Sequence, residues 1–100
     1  MPYSITIANA AEDDIQAAFM WYEEQQARLG SLFAEKVHQA VDSIQRNPFK
    51  TQIRYGNTRV FFLDKFPYGI HFQVEEEHNT ILIVAVFHTA RDPRHWEDSR

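Results

Sequence analysis

Four side chains could take part in proton transfer or stabilise negative charge: His88, Arg59, Arg91 and Lys65. An imidazole can donate or accept a proton near neutral pH, and the three cations could stabilise an anionic transition state. His88 ends an apolar run that begins at Ile81, so neighbouring groups could hold and tune its ring. A histidine in this position more often caps a backbone group or packs against an aromatic ring. The sequence therefore names a candidate acid or base and leaves a structural role as the alternative.

Other kinds of catalytic site find no support in the residue pattern. The chain has no cysteine, which excludes thiolate catalysis, disulfides and cysteine-based zinc sites. It has neither a glycine-rich phosphate loop nor a Gly-x-Ser-x-Gly motif. The histidines lack metal-ligand spacing, so we expect no metal and no cofactor, with His71 on a solvent-exposed sheet face and His78 in a turn. The five histidines are His38, His71, His78, His88 and His95.

Charge is unevenly distributed along the chain. From Glu12 to Asp42 there are seven acidic residues against only Arg28 and Lys36, which makes this half acidic. Between Arg46 and Lys65 there are five basic residues against one acidic residue. Such a basic segment could bind nucleic acid or the carboxylates of a partner protein, and it could equally be a solvated rim.

A second candidate for binding lies near the end of the chain. Phe87 and Trp96 are close in sequence to Arg91 and Arg94. Because Trp and Arg dominate binding hot spots, this corner could contact a protein partner. The alternative is that Trp96 packs the end of the chain onto the sheet, as large aromatic side chains usually do.

The first half of the chain predicts one strand and two helices. Apolar residues alternate from Tyr3 to Ile7, as in a strand with one buried face. We expect a first helix that is N-capped by Asn9 and closed by Gly30. A second helix would be N-capped by Ser31 and end before Asn47-Pro48. The short link between them predicts an antiparallel helical hairpin.

The second half of the chain changes to strand periodicity. Three segments rich in β-branched and aromatic residues predict an antiparallel meander: Arg59–Leu63, Tyr68–Val74 and Ile81–Phe87. The middle segment alternates, which predicts one buried and one wet face. The last segment is apolar on both faces, which is typical of an internal strand. Residues 51–57 are assigned to no element.

These elements predict an α+β fold, with an N-terminal strand and an antiparallel helical hairpin packed on a small, mainly antiparallel sheet. If the helices cover one side of a four-stranded sheet, the other face has no cover within the chain. Val84 and Val86 would lie on that face, so we expect a partner to bind there.

Composition sets the broad class. One hundred residues, 44% of them hydrophobic and 24% charged, predict a single folded domain over residues 1–100. A formal net charge of −4 counts against a surface that binds nucleic acid throughout. The apolar run from Ile81 to Phe87 is far shorter than the roughly 20 residues that span a bilayer, and no signal-peptide pattern opens the chain. We therefore expect a soluble, cytoplasmic protein without a membrane partner.

The order of elements, one strand, a helical hairpin and a three-stranded meander, resembles that of the RelE/ParE superfamily of small bacterial toxins. The likeness covers nearly the whole chain and looks like the ParE branch, which includes plasmid stabilisation proteins. It rests on these segments: Trp21-Tyr22-Glu23, Leu29-Gly30, Phe66-Pro67-Tyr68, Ala85-Val86-Phe87-His88, Arg91-Asp92-Pro93 and Trp96.

The resemblance implies the toxin of a type II toxin-antitoxin module, neutralised by a cognate antitoxin. We expect the ParE-type activity, inhibition of a protein target such as DNA gyrase, because an acidic chain suits a phosphate-rich ribosome poorly. One alternative is RelE-type cleavage of mRNA on the ribosome, with His88 as acid or base and Arg59 and Arg91 as charge stabilisers. The other is a non-toxic binding module of the same fold. The residues expected to contact a partner are Arg59, Lys65, Val84, Val86, Arg91, Arg94 and Trp96.

Overall fold

Two helices pack against one face of a five-stranded sheet in the computed structural model, which describes residues 3–90. The strands are β1 (Ser4–Ile7), β2 (Ile53–Tyr55), β3 (Thr58–Phe62), β4 (Tyr68–Glu75) and β5 (Thr80–His88). The helices are α1 (Asn9–Gln25) and α2 (Leu29–Arg46), and single 3-10 turns follow at Pro48–Lys50 and Glu76–His78. The predicted α+β architecture is confirmed.

The strands lie in the order β1-β5-β4-β3-β2. β1 runs parallel to β5, and the other neighbours are antiparallel. The predicted meander and the internal position of the last strand are therefore confirmed. The sheet has one strand more than expected, because Ile53–Tyr55 pairs with β3. Gly56 starts the two-residue link with φ of +53°, a positive φ that glycine adopts without steric cost.

The helix caps differ from those expected. α1 is capped by the extended residue Ala8 and not by Asn9, which is already helical. The Ala8 N–H donates to the carbonyl of Ile83 at 2.9 Å. Hydrogen bonding to β5 therefore continues one residue beyond the end of β1. The turn into the helix is thus set by strand pairing rather than by the Asn9 side chain.

The link between the helices also differs. α1 ends at Gln25, and Gly30 lies in the first turn of α2 instead of closing α1. The cap residue of α2 is Arg28, with a left-handed φ of 74°, and not Ser31. A Cβ on Gly30 would lie 2.6 Å from the Phe19 carbonyl oxygen, so glycine serves the close approach of the two helices. The antiparallel hairpin itself is confirmed.

The main core fills the space between the helices and the sheet. Its aromatic part joins Tyr22 of α1, Phe33 of α2 and Phe66 from the β3–β4 link, with ring centroids 4.9 to 5.5 Å apart. Such ring pairs add about 0.5–1.5 kcal/mol each beyond the area they bury. The largest fully buried side chains of this core are Phe33, Ile44, Ile70, Phe72, Ile81 and Ile83.

A β-bulge in β5 changes which side chains face the helices. His71 pairs with Ala85 and Phe72 with Ile83, which leaves Val84 as an extra residue. After the bulge the alternation shifts, so Val86 packs into the helix-facing core and is only 2% exposed. The expectation that Val86 lies on the second face is therefore wrong, whereas Val84 packs beside the cluster on that face.

The second face of the sheet is less open than expected. Val60, Ala85 and Phe87 form a second buried cluster, against which Tyr55 packs. His71, expected on a wet face, is fully buried, and its Nδ1 lies 2.9 Å from the Tyr55 hydroxyl. Because these side chains are already buried, they do not require a partner to cover them.

Candidate functional site

An aromatic cleft opens where β4 begins and β5 ends. α1 places Trp21 and Tyr22 opposite Pro67, Tyr68 and His88, around a volume of about 410 Å³. We call these five residues the aromatic cleft. Trp21 is 55% exposed, which is unusual for so large an apolar side chain. Tryptophan and tyrosine beside an open cleft are the side chains that most often anchor a protein partner.

A second hollow of about 260 Å³ continues from the aromatic cleft along α1. It shares Trp21 with the cleft and reaches Asp14, Ala17 and Ala18. The Asp14 carboxylate accepts a hydrogen bond from the backbone N–H of Val86 at 3.0 Å, which ties the first half of α1 to β5. The combined site is therefore aromatic at one end and acidic at the other.

His88 lies on the wall of both hollows and is exposed. Its ring is 5.2 Å from that of Tyr68, and its Nδ1 accepts a hydrogen bond from the backbone N–H of Ala90 at 3.0 Å. In the neutral ring the proton is then on Nε2. Of the residues that the structure describes around both hollows, none is lysine or arginine.

Burial within the aromatic cleft affects Tyr22. Loss of solvent raises the pKa of its phenol above the ordinary value of 10.0, and the nearby Tyr68 adds to the rise. Tyr22 is uncharged at physiological pH, as phenols ordinarily are, and contributes an aromatic wall to the cleft.

Arg59 is not brought to His88. It pairs with Phe72 in β4, whereas His88 pairs with Tyr68, four residues and roughly 13 Å away along the strand. The Arg59 guanidinium donates to the carbonyl of Thr51 and lies 5.1 Å from the centre of the Phe49 ring. These contacts hold it beside the 3-10 turn after α2.

The remaining candidates are dispersed or outside the described residues. Lys65 is exposed in the β3–β4 link with a left-handed φ of 71°. Arg91, Arg94 and Trp96, and with them the predicted aromatic and basic corner, lie outside residues 3–90. Sequence reasoning did not select Trp21 as a binding residue. The available signal was its position beside, and not within, the apolar stripe of α1.

The other histidines occupy separate places. The Nε2 atom of His38 lies 3.6 Å from a carboxylate oxygen of Asp42 on the surface of α2. His78 lies in the β4–β5 turn, as expected, and its Nδ1 is 2.5 Å from a carboxylate oxygen of Glu75. Over residues 3–90, no three histidine or carboxylate side chains lie close enough together to hold a metal ion. In the same range, no helix is both long and apolar enough to cross a bilayer.

Solved structures place the fold among RelE/ParE toxins. A ParDE system from P. aeruginosa matches with 18% identity and a TM-score of 0.73, over 86% of this chain and 95% of that one. Isolated RelE from E. coli matches with 16% identity and a TM-score of 0.67, over 97% and 95%. The RelBE2 complex from Mycobacterium tuberculosis matches with 21% identity and a TM-score of 0.60, over 88% and 99%.

Comparison of the sequence with models of protein families identifies the family of this chain. Residues 5–93 match the model of the ParE toxin of the type II toxin-antitoxin system, parDE, and this chain belongs to that family. Curated protein sequences give no significant match. The resemblance inferred from the order of elements is thereby confirmed.

Proposed function

We propose that this toxin acts by binding and inhibiting a protein target, DNA gyrase, and that a cognate antitoxin neutralises it. The observation that carries the proposal is the composition of the aromatic cleft. An exposed Trp21 stands beside Tyr68 and His88, and none of the described residues that line the cleft is lysine or arginine. The family match is to ParE toxins, the branch for which the resemblance implied inhibition of gyrase.

Chemistry argues against RNA cleavage at this site. Cleavage requires an acid, a base and cations for the charged phosphate in the transition state. His88 could supply proton transfer. Arg59, however, lies about 13 Å from His88 along the strand direction, and its guanidinium contacts the Thr51 carbonyl and the Phe49 ring instead. Arg91, the other proposed charge stabiliser, lies outside the described residues.

The aromatic cleft has the features of a protein-binding site, a partly exposed tryptophan beside a tyrosine. A tryptophan that is partly buried on the free protein loses its remaining water when a partner covers it, and such side chains often contribute about 2 kcal/mol or more to binding. An apolar or cationic side chain of the target would fit between Trp21 and Tyr68, against their ring faces.

An antitoxin partner is inferred from structural relatives. The similar structures include the ParDE system from P. aeruginosa and the RelBE toxin-antitoxin complex from E. coli. We propose that the antitoxin of this chain forms a comparable complex. Co-expression of the chain with the product of an adjacent small gene should restore growth and give a complex that co-purifies.

Supercoiling of plasmid DNA by purified gyrase tests the proposed target. The wild-type chain should inhibit the reaction, and Trp21→Ala should weaken inhibition at least about tenfold because the anchor side chain is lost. Met20→Ala is the matched control, since Met20 is 51% exposed on the same helix but lies outside the cleft. It should inhibit like wild type.

The same proteins are then added to ribosomes translating a defined mRNA. No new mRNA ends should appear. Cleavage that disappears in His88→Ala, together with unaffected gyrase, would replace the proposed function with RelE-type endonuclease activity.

A further inference from the structure

The rings that wall the aromatic cleft are turned at steep angles to one another. The ring centroids of Trp21 and Tyr22 lie 5.0 Å apart, with an interplanar angle of 84°. The Tyr68 ring is 6.1 Å from that of Tyr22, at 65°, and 5.2 Å from that of His88, at 73°. Rings arranged in this way form the sides of a box and not a stack. A cation inside such a box can contact more than one ring, and the face of each aromatic ring attracts positive charge.

The helix that supplies Trp21 is acidic. α1 contains five carboxylates and neither lysine nor arginine. Two of the carboxylates accept backbone hydrogen bonds within the fold, that of Asp14 from Val86 and that of Glu23 from the start of α2. The other three lie at the surface, where they attract cations most strongly at low ionic strength: Glu12, Asp13 and Glu24.

Two of the exposed carboxylates lie on the same side of α1 as Trp21. Residues Asp13, Ala17, Trp21 and Glu24 follow at spacings of four, four and three, which places them along one side of a helix. Ala17 lines the hollow that continues from the cleft. A partner segment laid along this side of α1 would therefore meet a carboxylate before the Trp21 ring and another after it.

Charge argues against two other occupants of this site. The carboxylates of α1 would repel the phosphates of a nucleic acid, and none of the described residues that line the cleft is a lysine or arginine that could offset this. A second copy of this chain docked through the same face would bring two acidic helices together. The site therefore favours a positively charged segment of a different protein.

We propose that the aromatic cleft binds an arginine side chain of the partner protein, with the guanidinium against the rings of Trp21 and Tyr68. Arginine fits better than lysine because its guanidinium is flat, stacks on aromatic faces and is less strongly hydrated. Asp13 and Glu24 would attract further basic residues on either side of it. This inference rests on the proposed binding of a protein target and specifies the chemistry of that contact.

A titration that separates charge from shape tests the cleft directly. NMR signals of the labelled full-length chain are followed while a capped Gly-Arg-Gly peptide is added, and again with citrulline in place of arginine. Citrulline has nearly the shape of arginine but no charge. The arginine peptide should shift the signals of Trp21, Tyr68 and His88, and the citrulline peptide should bind at least about threefold more weakly.

Two variants show whether the peptide occupies the cleft. Trp21→Ala should lose most of the binding, because the largest ring of the box is removed. Met20→Ala is the matched control, since it truncates a side chain that is 51% exposed on the same helix but lies outside the cleft. It should bind like wild type, and amide spectra without peptide show whether both variants are folded.

Fluorinated tryptophan at position 21 extends the test to the intact partner. Fluorine withdraws electron density from the indole face and weakens its attraction for a cation, with little change in size. Inhibition of gyrase should fall stepwise as the number of fluorine atoms on the ring increases. Inhibition that is lost in Trp21→Ala but unchanged by fluorination would overturn the arginine contact and leave the proposed function in place.

The remaining outcomes also separate the two proposals. Absence of gyrase inhibition by the wild-type chain would count against the proposed function, and the peptide titration would then decide on the arginine site alone. The inference is overturned by equal binding of the citrulline peptide, by preferential binding of a glutamate peptide, or by shifts outside the cleft. It is also overturned if the Trp21 signals depend on protein concentration without peptide, which would assign the cleft to a second copy of this chain.

Discussion

The Glu23 carboxylate stabilises the junction between the two helices. Its oxygens accept hydrogen bonds from the backbone N–H groups of Arg28, at 3.0 Å, and Gly30, at 2.9 Å. These groups lie at the start of α2, where N–H groups have no partner within the helix. A side chain of α1 thus caps α2 and replaces the Ser31 cap that the local sequence predicts.

Replacing Glu23 should therefore destabilise the protein. Glu23→Ala is expected to lower the free energy of unfolding by about 1–2 kcal/mol, because it removes both acceptors. Urea unfolding measures the change. Glu24→Ala, on an exposed position next to it, should change the value by less than about 0.5 kcal/mol. Equal effects of the two substitutions would contradict the capping role.

The raised pKa of Tyr22 predicts how the free energy of unfolding changes at alkaline pH. Its pKa is raised in the folded state, first by burial and then by Tyr68. Above about pH 10 the unfolded chain therefore releases the phenol proton before the folded chain does, and stability falls as pH rises towards the folded pKa. Tyr22→Phe removes this contribution.

Urea midpoints measured from pH 9 upward, in steps to about pH 11, test this dependence. The decline should be steeper in wild type than in Tyr22→Phe. Tyr3→Phe, which removes one phenol at a position outside the aromatic cleft, is measured alongside as a control. A Tyr22→Phe variant with the same slope as wild type would show that Tyr22 does not cause the decline.

At the scale of elements, the bulge in β5 determines which side chains form the core. Val84 is the extra residue, and it moves Val86 to the face that packs on the helices. Val86→Asp should lower the free energy of unfolding by about 3 kcal/mol or more, because it buries an unpaired charge. Val84→Asp should cost clearly less, since Val84 is half-buried. A regular strand without the bulge would give both substitutions similar effects, so similar losses in thermal or urea unfolding would contradict the bulge.

The spacing of apolar residues predicts much of the fold but little of the pairing between strands. The hairpin, the meander and the internal position of β5 follow from apolar spacing, because packing onto a core imposes that spacing directly. The three-residue strand β2 is too short to show a period, and the bulge at Val84 exists only through pairing with β4. Cap positions were missed because the acceptors lie outside the local capping pattern: the carbonyl of Ile83 is far along the chain, and the carboxylate of Glu23 belongs to the preceding helix.

The candidate site was predictable only in part. His88 was selected from its place after an apolar run, and it does line the cleft. Trp21 was missed because its neighbours Pro67 and Tyr68 come from the other half of the chain. Arg59 and His88 look compatible as chemical groups, but strand register separates them.

On the scale of the whole molecule, the two sides of the fold present opposite charge and different chemistry. The helical hairpin is rich in carboxylates, and the segment around β2 and β3 is rich in lysine and arginine. The charge of the chain is therefore divided between an acidic helical hairpin and a basic segment around β2 and β3.

Induction of this gene alone in a bacterial culture tests the central claim most directly, that the toxin acts on a protein target and not on mRNA. Plasmid supercoiling, amino-acid incorporation and mRNA integrity are followed from the moment of induction. The account predicts growth arrest with loss of negative supercoiling while translation and mRNA stay intact at first, and Trp21→Ala should grow normally at equal expression. An immediate stop in translation with newly cut mRNA and unchanged supercoiling would contradict it.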